Sequence, residues 1–111
     1  MASSKKEEFS AEDVELAEFA KALGHPARIA ILKTLAEKNE CVCGEIVEIL
    51  PLAQATVSQH LKELVKAGLI KGRVDGVKSC YCINWEVFKK LTGLFGVYAG
   101  EIACCEGKNC C

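Results

Sequence analysis

The sequence predicts a mainly α, α+β domain built from about five helices and one β-hairpin, with a helix-turn-helix at its centre. Three observations predict it. Apolar residues recur at the three- and four-residue spacing of a helix face near both ends of the chain. A short helical stretch halted by Pro51 stands one turn before a longer stretch opening at Gln54, the layout of two helices joined by a tight turn. Asp75-Gly76 then separates two strand-like runs, which is a strong short-range hairpin signal. With 111 residues and no internal repeat, the chain is expected to form a single domain over 1–111, small enough to favour a homodimer.

Each element has its own warrant. Met1 to Glu8 is a polar leader. Ser10 and Asp13 have the spacing of a capping box with Asp in place of Glu, and Val14, Leu16, Ala17, Phe19, Ala20 and Leu23 give the first helix an apolar surface that Gly24 ends. Pro26 suits the opening of a second helix, because its missing N–H would have no partner there; Ile29, Leu32 and Leu35 continue the helix to about Lys38. Cys41 to Cys43 reads as a short extended link, and Glu45 to Leu50 as a brief helix. Val57, Leu61, Leu64 and Val65 mark the helix from Gln54 to Ala67, closed by Gly68. Leu69 to Val74 and Lys78 to Ile83 are the hairpin strands. Asn84 is suited to cap a last helix from Trp85 to the Cys104 region, with Val87, Phe88, Leu91, Leu94, Phe95 and Tyr98 as its apolar surface. Gly93, Gly96 and Gly100 each weaken that helix by roughly 1 kcal/mol relative to alanine, so close approach of a partner helix is expected to supply the missing stability.

Charge and composition narrow the function. No apolar run is long enough to span a bilayer, and the charged first twenty residues hold no signal-peptide core, so a cytoplasmic protein with reduced thiols is expected. The net charge of -1 conceals an asymmetry: residues 1–50 carry six Lys/Arg against ten Asp/Glu, whereas 54–90 carry seven against three. Local basic charge is what meets phosphate. Within the helix from Gln54, the side chains of Gln54, Thr56, Ser58, Gln59 and His60 are the kind that bond to base edges or phosphates, with Lys62 and Lys66 at phosphate range and Lys71, Arg73 and Lys78 making the hairpin basic. An ordinary amphipathic helix with a polar outer face is the alternative, and the basic hairpin tips the balance towards double-stranded DNA. No catalytic constellation is legible, and no enzyme is expected.

Three segments carry a family resemblance: Ala22-Leu-Gly-His-Pro-Ala-Arg-Ile-Ala-Ile-Leu, Thr56-Val-Ser-Gln-His-Leu-Lys-Glu-Leu and Ala67-Gly-Leu-Ile. Together they resemble the ArsR/SmtB family of metal-sensing repressors, over about residues 14–103. The resemblance implies a winged helix-turn-helix homodimer. In it Glu45–Leu50 is the supporting helix, Gln54–Ala67 the recognition helix, Leu69–Ile83 the wing, and the first and last helices the dimer interface. It also implies repression of an arsenic-resistance operon and release of operator DNA when trivalent arsenic, as arsenite or an organoarsenical, or antimony binds cysteine thiolates.

Eight cysteines give three candidate places for the ion. The tail, 104–111, resembles the Cys-Cys-x5-Cys arrangement of one arsenic-responsive subgroup through Cys104, Cys105 and Cys111, with Cys110 as a substitute. Adjacent cysteines of an intact helix diverge, so Cys104 and Cys105 share an ion only where the helix ends. Cys41 and Cys43 resemble two thirds of another subgroup's Cys-x-Cys-x-x-Cys site, whose third position here is Ile46; buried core thiols are the equal alternative. Cys80 and Cys82 alternate onto one face of the second wing strand, and the extended link before the supporting helix is expected to lie beside that strand. A cross-strand thiol cluster of Cys41, Cys43, Cys80 and Cys82 then competes with simple core packing. His25 reads as a helix-junction residue, and the last helix lacks the histidines of zinc sensors. A redox-sensing repressor that forms disulfides and a thiol-rich metal-buffering protein are the other classes.

Overall fold

The computed structural model describes residues 8–39, 41–43, 51–75 and 78–106. Among them are four helices, α1 (Ala11–Ala22), α2 (Pro26–Lys38), α3 (Gln54–Lys66) and α4 (Trp85–Ala103), and three strands, β1 (Val42–Cys43), β2 (Ile70–Asp75) and β3 (Lys78–Ile83). The count is four rather than about five, because the short helix expected over Glu45–Leu50 lies outside the described residues.

The helix ends follow local chemistry. Ser10 Oγ accepts the amide of Asp13 at 3.1 Å, which satisfies one of the unpaired donors at the start of α1. His25 does the same for α2 through Nδ1, accepting from the Ala27 amide at 3.0 Å beside Pro26. Asn84 Oδ1 accepts the Val87 amide at the start of α4. Leaving α3, the Gly68 amide bonds to Val65 O and the Leu69 amide to Leu64 O, at 2.9 and 3.1 Å. That is a Schellman closure, and it requires the left-handed φ of +84° that Gly68 adopts. Leu64 and Leu69, brought together by the closure, are both fully buried.

One core holds the described elements together. Ile31 and Leu35 of α2 join Val57, Leu61 and Leu64 of α3, Val42 of β1, Leu69, Ile70 and Ile83 around the sheet, Phe19 of α1 and Leu91 of α4. Each such side chain contributes roughly 1.5–3 kcal/mol through removal of apolar surface from water.

The sheet has the order β1-β3-β2, both pairings antiparallel. Its hairpin register runs from Ile70↔Ile83 to Asp75↔Lys78, so Asp75, expected in the turn, is instead the last paired position of β2. Alternation puts Ile70, Tyr81, Ile83 and Val42 on the face towards the core. Gly72 lies opposite Tyr81, whose ring would come within 3.1 Å of any added Cβ.

α1 and α4 lie against each other through Phe19 and Phe88, whose rings meet edge to face at 6.5 Å, and through a Lys90–Glu15 ion pair at 3.0 Å. The outer part of α4 is different: Phe95, Val97, Tyr98 and Ile102 are 47–63% exposed. A Cβ placed on Gly93, Gly96 or Gly100 would meet nothing within 4 Å. No helix of the described residues is long and apolar enough to cross a membrane.

Candidate nucleic-acid interface and thiol sites

α3 is strongly two-sided. Val57, His60, Leu61 and Leu64 face inward, while Gln54, Thr56, Gln59 and Lys62 are exposed and Ser58 is half-buried. Gln59 Nε2 reaches the Glu63 carboxylate at 3.4 Å on the solvent side. The helix begins after Ala53 with no side-chain cap, and the amides of Thr56 and Val57 both bond to Ala53 O, at 3.0 and 3.1 Å. Arg73 and Lys78 take their expected places on β2 and β3, and the neighbouring Lys71 is exposed.

His60 departs from the expected set. It is 7% exposed and turned into the domain, where Arg28 Nε donates to its Nδ1 at 3.1 Å and the His25 ring lies 4.3 Å away, centroid to centroid. The same guanidinium donates through Nη1 to Lys21 O and Ala22 O, at 3.3 and 3.2 Å, at the end of α1. Burial first, then the charges of His25 and Arg28, hold His60 below its ordinary value of 6.5, against an opposing pull from Glu63. A neutral imidazole accepting from arginine is therefore the resting form. His60 is a junction residue between α2 and α3, and the expectation that it contacts DNA is corrected. His25, expected at a helix junction, is at one.

The thiols fall into two groups. α4 ends at Ala103, and the amides of Cys105 and Glu106 bond to Ile102 O and Ala103 O, each at 3.0 Å, three residues back. The helix thus stops at the pair Cys104-Cys105, which is the condition for adjacent sulfurs to serve one centre. Cys105 Sγ lies 3.6 Å from Glu101 O. Cys110 and Cys111 lie outside the described residues.

The second group is in the sheet. Cys43 pairs in register with Cys80, and Cys41 is joined to Cys82 by a disulfide with their Cα atoms 4.3 Å apart. The extended link before α3 therefore does run beside the second wing strand. Cys80, Cys104 and Cys105 are also disulfide-bonded. Among the described residues no group of three or more His, Cys, Asp or Glu side chains is assembled that could hold a metal ion.

Residues 25–71, from the start of α2 into β2, match the profile of the arsR family of bacterial regulatory proteins. Over 79 residues the chain is 47% identical to an uncharacterised HTH-type transcriptional regulator of Methanocaldococcus jannaschii, an alignment that covers 70% of this chain and 88% of that protein. The chain belongs to the ArsR family. This ArsR-family member is also 36% identical over 95 residues to an arsenical resistance operon repressor of Staphylococcus aureus, covering 86% of this chain and 90% of that one. Among solved structures it resembles the homodimeric winged helix-turn-helix DNA-binding domain of a Mycobacterium bovis protein, with a TM-score of 0.61 and 31% identity over 78% of this chain and 80% of that domain. This ArsR-family chain is a transcriptional repressor of winged helix-turn-helix type.

Proposed function

We propose that the chain represses an arsenic-resistance operon in the cytoplasm, as a homodimer bound to a pseudo-palindromic operator and released by trivalent arsenic. One observation carries this reading: α4 terminates at Cys104-Cys105, at the end of a helix whose outer part exposes Phe95, Val97, Tyr98 and Ile102 beside glycines with open space around them. A second copy covering that face joins the two protomers through α4 and α1. Gln54, Thr56, Ser58, Gln59, Lys62, Arg73 and Lys78 then meet DNA, with the two α3 helices about one DNA turn apart. Arsenic bound by Cys104 and Cys105, with Cys110 or Cys111 as third thiolate, fixes the end of the dimer helix and biases the spacing of the two α3 helices. Allosteric couplings of this kind are typically 1–3 kcal/mol, about 5- to 150-fold in affinity.

The test is fluorescence anisotropy of a labelled fragment from the gene's own upstream region, with reduced protein and then arsenite. Wild type is expected to lose affinity at least about tenfold on arsenite, and the Cys104→Ser/Cys105→Ser double variant to hold the DNA. Equal release from both forms rules out the tail as sensor. The disulfide-bonded state of Cys104 and Cys105 favours a second reading, a redox-sensing repressor, which predicts release by peroxide in the absence of any arsenical.

A further inference from the structure

We infer that Cys41 and Cys82 form a second thiophilic site, a cross-strand dithiol that chelates a trivalent organoarsenical between the link preceding the helix-turn-helix and the wing. The site is separate from the tail and extends the arsenical reading to residues that reading does not use.

The geometry selects the ligand. Register places Cys41 opposite Cys82 and Cys43 opposite Cys80, and strand alternation assigns all four positions to the sheet face away from Val42 and Tyr81. A Cα separation of 4.3 Å is that of a directly opposed, non-hydrogen-bonded pair, which brings side chains closest. Their sulfurs meet, as the disulfide shows. The next position on the same face of a strand is about 6.8 Å further on, so the opposed pair offers two converging sulfurs and not three or four. Zinc in a structural site takes four ligands, and inorganic arsenite is best held by three thiolates. A trivalent arsenic already carrying one carbon substituent has two exchangeable bonds, which matches two thiols.

The surroundings suit that chemistry. Cys41 and Cys82 are half-buried, open enough for a small reagent, whereas Cys80 is 1% exposed. Exposed Lys71 stands in register with Cys82 on β2, and Arg73 holds the register position opposite Cys80. Positive charge beside a cysteine is the setting in which its sulfur reacts as thiolate.

The steps balance. Two molecules of a monothiol reductant supply two electrons and two protons, the Cys41–Cys82 S–S bond breaks, and the reductant leaves as its own disulfide. The dithiol then displaces two hydroxyls from R–As(OH)2: two As–S bonds form, two As–O bonds break, and two waters carry off the thiol protons. Arsenic remains trivalent throughout.

The test uses full-length protein with all four tail cysteines changed to serine (Cys104, Cys105, Cys110 and Cys111), reduced with a phosphine and mixed with phenylarsine oxide. Uptake is read by native mass spectrometry. One equivalent per chain is expected, lost when either Cys41→Ser or Cys82→Ser is added and retained with Cys43→Ser/Cys80→Ser. Because the two single variants sit on different strands, loss in both with helical circular dichroism unchanged separates chelation from misfolding. Absence of uptake in the tail variant overturns the inference, as does uptake that survives Cys41→Ser or Cys82→Ser. A dithiol that re-forms its disulfide with peroxide yet takes up no arsenical overturns it too, and leaves a purely redox pair. The operator-release experiment reads the tail, so failure of either idea is visible without the other.

Discussion

Arg28 and His60 show how much one junction can depend on a protonation state. The guanidinium ties the carbonyl end of α1 to the buried face of α3, and the tie needs an imidazole nitrogen free to accept. Protonation removes that acceptor and adds positive charge beside Arg28 and His25. Since His60 titrates below 6.5 when folded, the unfolded chain takes up the proton first as pH falls. The contribution is therefore complete above about pH 6.5 and is lost as pH drops from there towards the lowered folded value. Urea unfolding at about pH 7.5 and about pH 5.5 is expected to show the wild-type midpoint falling at the lower pH, with a smaller fall in His60→Gln. Equal falls would remove His60 from the acid response. The burial of His60 was legible in the sequence, because it lies three residues from Val57 and four from Leu64, on the inner face of α3. Its polarity argued for the outer face; spacing prevailed, because Arg28, distant in sequence, supplies the partner that makes a buried histidine tolerable.

At the scale of elements, the sequence marks boundaries best where one residue type has one physical use. Ser10, Pro26, Asn84 and Gly68 each stand where their chemistry places them, and β3 spans the expected Lys78–Ile83. Asp75 reads as part of a turn pair with Gly76 but is paired in the strand, because the core-facing alternation of Ile70, Tyr81 and Ile83 carries the register through to Asp75↔Lys78. The neighbours of Cys41 were legible only through the expectation that the link runs beside the wing, since spacing along the chain says nothing of a partner 41 residues away. Gly68 matters most among these markers, because it turns the chain from α3 into β2. Gly68→Ala forces a side chain into the left-handed region, and an expected loss of about 1–2 kcal/mol should appear as a lower denaturation midpoint with unchanged denaturant slope. A neutral outcome would mean that the backbone there relaxes to negative φ.

For the molecule as a whole, the feature that single-chain packing leaves unexplained is the outer face of α4. Tyr98 has no large burial within the chain, and Gly93, Gly96 and Gly100 leave room for another backbone to come close. Tyr98→Glu is expected to convert a dimer to monomer in sedimentation velocity, with DNA affinity lowered at least tenfold, about 1.4 kcal/mol or more, as one recognition helix replaces two. An unchanged sedimentation coefficient would place the contact elsewhere. The strand order β1-β3-β2 adds a last consequence. Cys41 and Cys82 are 41 residues apart in sequence and come together through the pairing of β1 with β3, so their contact belongs to the folded sheet. Whatever bridges the two sulfurs, an arsenic atom or a direct bond, closes a loop of 41 residues and deprives the unfolded ensemble of entropy worth about 4 kcal/mol. The bridged protein is then the harder one to unfold and to degrade.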